Sequence, residues 1–156
     1  MSSPPRLEIR DIARSFDGRR VVEGVSLSIA AGQVTCLLGP SGCGKSTTLR
    51  IIAGVDRADR GTILADGRVL AGDGAFVPPE ARGIGLMFQD FALFPHLSVA
   101  GNVAFGLKGG KAATRARVAD LLGKVGMSAY IDRFPHELSG GEQQRVALAR
   151  ALAPRP

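Results

Sequence analysis

The sequence contains no tryptophan, one tyrosine and only two cysteines among its 156 residues. Two cysteines cannot form the dense disulfide framework of a small secreted domain, so we expect a protein of a reducing compartment. No apolar run approaches the roughly 18 residues that a membrane-spanning helix needs, and the N-terminus lacks the pattern of a secretory signal. We therefore expect a cytosolic protein, whose contacts with a membrane are made through a partner.

Clustered positive charge is also missing. The formal net charge is +6, which by itself would permit nucleic-acid binding. However, the arginines are scattered, aromatic residues make up only 5%, and no basic run is interleaved with aromatics. Arg115 and Arg117 are expected on the solvent face of a helix whose apolar face begins at Val118. We predict that nucleic acid is not a partner.

A phosphate-binding loop is the strongest motif that the sequence does contain. Residues 39–47 read GPSGCGKST and satisfy the pattern GxxxxGK[ST]. The apolar run from Val34 to Leu38 predicts a strand buried on both faces before the loop, and a helix is expected from Gly44 to Gly54. Glycines let successive amides face phosphate oxygens at the positive end of that helix. The predicted phosphate-binding residues are Gly39, Pro40, Ser41, Gly42, Cys43, Gly44, Lys45, Ser46 and Thr47.

Two side chains of this phosphate loop have predicted roles in binding ATP and Mg²⁺. Lys45 would bridge the β and γ phosphates, and the Ser46 hydroxyl would bind Mg²⁺. Such sites usually also need a strand that ends in aspartate and a nearby carboxylate. Thr62 to Asp66 imitates that strand, but Asp66-Gly67 predicts a hairpin turn. We therefore expect the sequence to stop before the aspartate strand and to show no ATPase activity alone.

Periodicity predicts an α/β fold over residues 1–156. Residues 6–32 alternate apolar and polar side chains and predict an antiparallel β edge. Residues 33–90 are predicted as the P-loop core, in which the apolar run from Ile84 to Phe88 predicts a second buried strand. Residues 91–153 are predicted to be a helical subdomain.

A second helix start lies in the stretch LSGGEQQRVALARAL, residues 138–152, which we call the signature stretch. Ser139 followed by Glu142 fits the capping box S-x-x-E, in which each side chain binds the other residue's backbone N–H. The amides of Ser139, Gly140 and Gly141 also form a potential anion site with the serine hydroxyl. We expect both: the box shapes the helix end, and the helix end binds phosphate.

These motifs closely resemble the ATP-binding subunits of ABC transporters. Four follow in that family's order: Phe16 in RSFDGRR, the phosphate loop, Gln89 in MFQDFALFPHLSV, and LSGGEQQR from Leu138. The resemblance covers nearly the whole chain. It implies a P-loop NTPase (ABC ATPase) core with an N-terminal antiparallel β subdomain and an α-helical signature subdomain. It also implies a C-terminal part missing from Walker B onward, with the catalytic glutamate, D-loop and switch histidine.

The resemblance also implies roles for single residues. Phe16 would stack on adenine, although a core phenylalanine on a strand is the alternative. Gln89 would reach Mg²⁺ and the attacking water and act in catalysis with Lys45, the alternative being a solvated loop glutamine. Ser139, Gly140, Gly141 and Glu142 would close over the γ-phosphate held by a second ATP-binding subunit in a head-to-tail dimer.

One apolar loop lies where family members dock their transmembrane permease subunits. We call residues 91–97 the partner loop, because they are too apolar for an idle loop. The residues expected to dock are Phe91, Phe94, Pro95, His96 and Leu97. His96 lacks a second ligand at a suitable spacing, so no metal role is expected. The intact subunit would act at the cytoplasmic face of the cell membrane.

One stretch of the sequence also suggests a class of transported substrate. The style of VPPEARGIGLMFQDFALFPHLSV resembles importers of ferric iron, polyamines or sugars, and iron looks closest. Selectivity resides in membrane and binding-protein subunits that the sequence does not contain. Two alternatives to an import ATPase stay open at this point: a nucleotide-binding module without ATPase activity, and a soluble ABC protein acting in translation or repair.

Overall fold

A computed structural model describes residues 5–156, which form two compact units. The first unit ends at Ile84, and the second runs from Gly85 to Pro156. The sequence predicted subdomain boundaries at residues 32 and 90, and these stay predictions. Within the described part of the chain, no helix is long and apolar enough to cross a bilayer.

The first unit is built on a five-stranded antiparallel sheet. Its strands lie in the order β2-β1-β3-β4-β5, and each pairs with its neighbour in antiparallel register. The predicted antiparallel β edge is confirmed as the first two strands. The strands are β1 (Leu7–Phe16), β2 (Arg19–Ile29), β3 (Arg60–Ala65), β4 (Arg68–Gly72) and β5 (Ala75–Phe76).

The hairpin predicted at Asp66-Gly67 is confirmed. Asp66 and Gly67 have φ angles of 49° and 78°, and Ala65 pairs with Arg68 across the turn. Two successive positive φ angles are those of a type I′ turn, whose twist matches that of the flanking strands. Residues 62–66 are therefore part of a hairpin and not the aspartate strand that they imitate.

The helix after the phosphate loop, α1 (Lys45–Ala53), packs on this sheet. Ile51 and Ile52 are buried in one cluster with core side chains of the strands. Gly54 ends the helix with φ 84°, and its N–H binds the carbonyl groups of Arg50 and Ile51. This left-handed ending is the one that glycine allows at no steric cost. The strand residues of the cluster are Ile9, Ile12, Val22, Ile63 and Leu70.

Two predicted buried strands do not form, and both predictions are wrong for this structure. Val34 and Leu38 are 89% and 90% exposed, and neither residues 34–38 nor residues 84–88 are in a strand. A strand needs a neighbour to accept and donate its backbone hydrogen bonds. Every strand among residues 5–156 belongs to the antiparallel sheet, and none of them pairs with either run. Apolar composition without a ladder partner does not make a strand.

The second unit is helical. It contains α2 (Val99–Ala104), α3 (Lys111–Lys124) and α4 (Gly140–Leu152), with short 3₁₀ turns at Ser128–Tyr130 and Pro135–Glu137. Arg115 is exposed and Val118 is buried, as the helical period predicts. The prediction that Arg117 lies on the solvent face is wrong: Arg117 is half-buried, because its guanidinium donates to the carbonyl oxygens of Leu152 and Ala153 at 2.9 and 3.4 Å. The apolar faces of the three helices share one core. Its buried residues are Val99, Val103, Val118, Leu121, Leu122, Met127, Leu138, Val146, Ala149 and Ala153.

Candidate nucleotide site

The phosphate loop reaches α1 through glycines in the left-handed region. Gly42 and Gly44 have φ angles of 82° and 89°. A Cβ atom on Gly44 would lie only 2.3 Å from the carbonyl oxygen of Val21, so no other residue fits where the loop crosses β2. Thr48 then fixes the first turn, since its amide and its Oγ1 both donate to the Gly44 carbonyl, at 2.8 and 2.9 Å.

Lys45 folds its ammonium group onto the loop. Its Nζ donates to the carbonyl oxygens of Gly39 and Pro40 at 2.8 and 2.7 Å, and the Cys43 Sγ lies 3.5 Å away. Among residues 5–156, no carboxylate forms an ion pair with Lys45. Its charge is therefore balanced only by carbonyl dipoles, which leaves it available to an anion.

The start of α1 also presents backbone donors and a hydroxyl group. Within the described chain, the amides of Gly44, Lys45 and Ser46 have no protein acceptor, as expected for the first turn of a helix. Ser46 is exposed. Amides, a lysine and a hydroxyl group form the donor set of a triphosphate site. The residues present therefore fit ATP.

A metal ion would depend on the phosphates of that nucleotide. No group of three or more His, Cys, Asp or Glu residues in the described part could hold a metal ion. Mg²⁺ is commonly held through substrate phosphates and few protein ligands. The Ser46 hydroxyl fits one such ligand position.

Phe16 is the last residue of β1 and is 41% exposed. The Arg14 guanidinium lies 4.6 Å from the centre of its ring. Phe16 pairs with Arg19 at the start of β2, the strand that Gly44 crosses at Val21. Its exposure contradicts the core alternative, and its pairing partner Arg19 lies two positions before Val21, the residue that Gly44 approaches.

The capping box predicted for the signature stretch is present. The Ser139 amide and hydroxyl both donate to Glu142 Oε2 at 2.7 Å, and the Glu142 amide donates to Ser139 Oγ at 3.4 Å. The hydroxyl contact and then the amide contact hold the pKa of the Glu142 carboxyl below its usual value. The amides of Gly140 and Gly141 remain exposed at the helix start. Of the three predicted anion-binding amides, that of Ser139 is thus already bound to a carboxylate.

Gln89 is exposed in the tight turn that the Phe91 amide closes onto the Phe88 carbonyl at 3.1 Å. Phe91 and Ala92 follow with φ angles of 60° and 44°. Left-handed conformations cost non-glycine residues about 1–3 kcal/mol each, so contacts elsewhere must hold them. Gln89 belongs to the second unit and Ser46 to the first, so their proposed joint role at a metal ion remains a proposal.

The partner loop is held from inside the second unit. Asn102 is fully buried on α2. Its Nδ2 donates to the carbonyls of Phe94, Leu97 and Ser98 at 3.0–3.1 Å, and its Oδ1 accepts from the Phe94 amide at 2.8 Å. The Phe94 ring is half-buried, 4.2 Å from that of Phe105. Phe94 is thus part of the packing of its own unit.

Of the residues expected to dock, Pro95 and His96 are exposed, whereas Phe91 and Leu97 are half-buried. Sequence reasoning identified the loop from its apolar composition. It missed two polar side chains that hold the loop: Asn102, and Arg150, whose guanidinium donates to the carbonyls of Phe91 and Ala92. An asparagine in the apolar helix VAGNVA was the available signal, because a polar side chain facing a core must find hydrogen-bond partners.

A third residue that sequence reasoning missed is Arg82, which is 6% exposed. Its Nη1 donates to the carbonyls of Ile51 and Ile52 at 3.0 and 2.8 Å, and its Nε donates to that of Val77 at 2.7 Å. A cation at the C-terminus of a helix stabilises the helix dipole. Arg82 therefore caps the end of α1 opposite the phosphate loop, and burial lowers its pKa.

Known proteins are similar to this chain over most of its length. The family model described as ABC transporter matches residues 22–156. The putrescine transport ATP-binding protein PotG of Escherichia coli (strain K12) is 51% identical over 155 residues, which are 97% of this chain and 40% of that protein. The Fe(3+) ions import ATP-binding protein FbpC of Serratia marcescens is 50% identical over 151 residues, covering 96% of this chain and 44% of that protein.

A solved structure is similar over nearly the whole chain. It shows the dimeric, post-hydrolysis state of the ATP-binding cassette MJ0796 bound to ADP and Pi, with a TM-score of 0.84 and 31% sequence identity. The match covers 96% of this chain and 70% of that one. By contrast, the chain spans about 40% of the length of the curated relatives described above.

Proposed function

The chain belongs to the ABC transporter family, and we propose that it is the ATP-binding part of an importer that uses ATP hydrolysis to move a solute across the cell membrane. The observation that carries this proposal is Lys45, an ammonium group held inside a glycine loop with no carboxylate partner among residues 5–156. A cation without a counter-ion favours an anionic ligand, and the helix start adds amide donors for the oxygens of that ligand.

Binding proceeds through residues of the first unit. Lys45 leaves the carbonyls of Gly39 and Pro40 and turns to the β and γ phosphates, while the amides from Gly44 to Ser46 bind phosphate oxygens. Mg²⁺, bound through Ser46 and the phosphates, would supply the charge that makes the γ-phosphate open to attack by water. Phe16 offers a ring face to the adenine.

The signature stretch is proposed to act on the ATP of a second subunit. The carboxylate of Glu142 already binds the donors of Ser139, so this helix start lacks the net positive charge of the phosphate loop. Gly140 and Gly141 can add two amides to a phosphate whose charge another subunit has already neutralised. The dimeric state named for the MJ0796 cassette supports pairing of two subunits, and we propose that they pair head to tail.

Gln89 is proposed to sense the metal and the attacking water from the second unit. Its side-chain amide both donates and accepts hydrogen bonds, which suits orientation of water. The exposed Pro95 and His96, six and seven residues further along, are proposed to contact a permease subunit at the cytoplasmic face of the membrane. His96→Glu tests this contact better than a change at Phe94, because His96 is exposed and Phe94 is packed.

The transported solute is proposed to be cationic, either ferric iron or a polyamine. Similarity does not separate the two, since the relatives named for putrescine and for Fe(3+) are 51% and 50% identical to this chain. Uptake of labelled putrescine and of ferric iron by cells with and without the gene decides between them.

Competition between nucleotides tests the proposed function directly. The purified chain is titrated with a fluorescent ATP analogue in the presence of Mg²⁺, and the bound analogue is then displaced with ATP or AMP. We expect ATP to displace the analogue and AMP to displace it poorly, because the contacts of the phosphate loop are made to the β and γ phosphates. Equal displacement by both nucleotides, or no binding at all, would refute the proposal.

A further inference from the structure

Arg150 connects the signature helix α4 to the start of the partner loop. Its Nη1 donates to the carbonyl oxygen of Ala92 at 2.6 Å, and its Nη2 donates to that of Phe91 at 2.9 Å. The guanidinium carbon also lies 5.3 Å from the centre of the Phe94 ring. Arg150 thus makes three contacts with one short stretch of the loop, although it lies 58 positions further along the chain than Ala92.

The two carbonyls that Arg150 binds belong to the residues with left-handed backbone. Phe91 and Ala92 have φ angles of 60° and 44°, which non-glycine residues rarely adopt without support. Phe91 also closes the turn around Gln89 through its amide. The guanidinium therefore holds the residues that set the direction of the Gln89 turn.

The chemistry of the contact requires arginine. A planar guanidinium has two Nη groups that reach two carbonyl oxygens at once, whereas a lysine ammonium is a single point donor on a flexible stem. Arg150 has no carboxylate partner among residues 5–156, so its hydrogen bonds to the loop carbonyls are its main polar contacts. Arg150 is half-buried, and of its two hydrogen bonds the one to Phe91 is partly buried and the one to Ala92 is exposed.

We infer that Arg150 is a positioning residue, which fixes the turn that contains Gln89 to α4, the helix whose first residues are Gly140 and Gly141. The inference deepens the proposed function and rests on it for the role of Gln89. The geometry makes the second unit a single piece in which Gln89 and the start of α4 keep a constant relation. The consequence is that loss of the guanidinium should free Gln89 without melting α4.

The test uses backbone hydrogen exchange, followed by NMR on the whole chain, in Arg150→Lys. The Phe91 amide reports the Gln89 turn, and the Phe94 amide, which is bound to Asn102, reports the other end of the loop. We expect exchange at Phe91 to rise about tenfold or more, the loss typical of a charge-assisted hydrogen bond. The Gln89 side-chain signals should shift, and exchange at Phe94 should change little.

Two variants of the same helix serve as controls. Arg145→Lys makes the same chemical change at an exposed position, and Val146→Ala removes core packing while keeping Arg150. Val146→Ala should lower the unfolding temperature without altering exchange at Phe91. If Arg150 only stabilised the unit as a whole, Val146→Ala and Arg150→Lys would instead change exchange at Phe91 in the same way. If Arg150→Lys behaves like Arg145→Lys at Phe91 and Gln89, the inference is overturned.

Gln89→Ala separates this inference from the proposed function. If Gln89→Ala leaves the Mg²⁺ dependence of ATP affinity unchanged, the metal role of Gln89 fails, and exchange at Phe91 still decides the role of Arg150. If Gln89→Ala weakens that dependence, Arg150→Lys must weaken it too, and the double variant must not add the two effects. An effect of Gln89→Ala alone, with none from Arg150→Lys, also overturns the inference.

Discussion

The starts of α1 and α4 are both glycine-rich, and within the described chain both have backbone amides without a protein acceptor, yet their first turns are bonded differently. Gly44 begins α1 in a left-handed conformation with no side-chain cap and no acidic residue in the first turn. Ser139 begins α4 in an extended conformation, and Glu142 closes a capping box on it. The first helix start carries a lysine, and the second carries a carboxylate.

This difference separates two ways of binding one phosphate group. The phosphate loop brings its own positive charge, so it can bind a nucleotide within a single chain. The start of α4 is capped by its own Glu142 carboxylate, so we propose that it adds hydrogen bonds to a phosphate held by another subunit. Amides alone do not decide what a helix start binds, because the charge of its first turn decides the net field.

The largest expected effect comes from filling the phosphate loop. Gly44→Ala imposes the left-handed conformation on alanine, at about 1–3 kcal/mol, and also a clash with the Val21 carbonyl. Gly42→Ala has the same conformational cost but meets no atom within 4 Å. Urea unfolding followed by circular dichroism should therefore show a larger loss of stability for Gly44→Ala. Equal losses would show that the close contact with β2 is not a constraint.

Removing the loop's charge should have the next largest effect. Lys45→Ala is expected to weaken ATP binding by about 1.5–3 kcal/mol, the cost of a hydrogen bond to a charged group. Lys111→Ala is the matched control, because Lys111 is also the first residue of a helix that lacks a side-chain cap. Titration with a fluorescent ATP analogue measures both. If the Lys45→Ala variant is folded and binds the analogue as tightly as the wild type, Lys45 is not part of the site.

A smaller effect is expected at the other helix start. Ser139→Ala removes the cap of α4 and should cost about 1 kcal/mol of stability, with no change in the ATP affinity of the single chain. Tyr130, the one tyrosine of the sequence, lies in the second unit and reports its unfolding by fluorescence. Ser128→Ala, which changes an exposed serine in the same unit, is the control. Weakened ATP binding by Ser139→Ala would contradict the division between the two helix starts.

The smallest expected effect concerns pH. The pKa of the Glu142 carboxyl is lowered in the folded chain, first by the Ser139 hydroxyl. Its contribution to stability is therefore present above the unfolded pKa of about 4.3 and is lost as pH falls through the folded value. Tyr130 fluorescence in urea between about pH 7 and 3, a range that spans this titration, should show a steeper loss of stability for the wild type than for Glu142→Gln. If the stability of the wild type and of Glu142→Gln fell in parallel with pH, protonation of Glu142 would not be linked to folding.

Local signals in the sequence predicted the parts of the molecule that local geometry determines. The Asp66-Gly67 turn, the Ser139 capping box and the helix end at Gly54 each depend on residues within a few positions, and all three are confirmed. The ABC ATPase fold that the motif order implied is confirmed by the solved structure of the same family. The motifs therefore predicted both the fold and the location of the phosphate loop.

Features that depend on distant partners were not predictable in the same way. The runs at residues 34–38 and 84–88 have strand composition, but pairing requires a neighbour that composition cannot reveal. Arg150 donates hydrogen bonds to Phe91 and Ala92, which lie 59 and 58 positions earlier in the chain. No local pattern around Arg150 or around the partner loop predicts these bonds. Arg82 and Asn102 became visible as structural residues only when their burial was known.

We propose that one chain binds ATP through the phosphate loop and not through the start of α4. NMR of the ¹⁵N-labelled chain with ATP and Mg²⁺, at a protein concentration too low for association, tests it most directly. We predict saturable shifts of the amides from Gly42 to Thr47, with those of Gly140 and Gly141 unmoved. Shifts at Gly140 and Gly141 without shifts in the phosphate loop would contradict the claim.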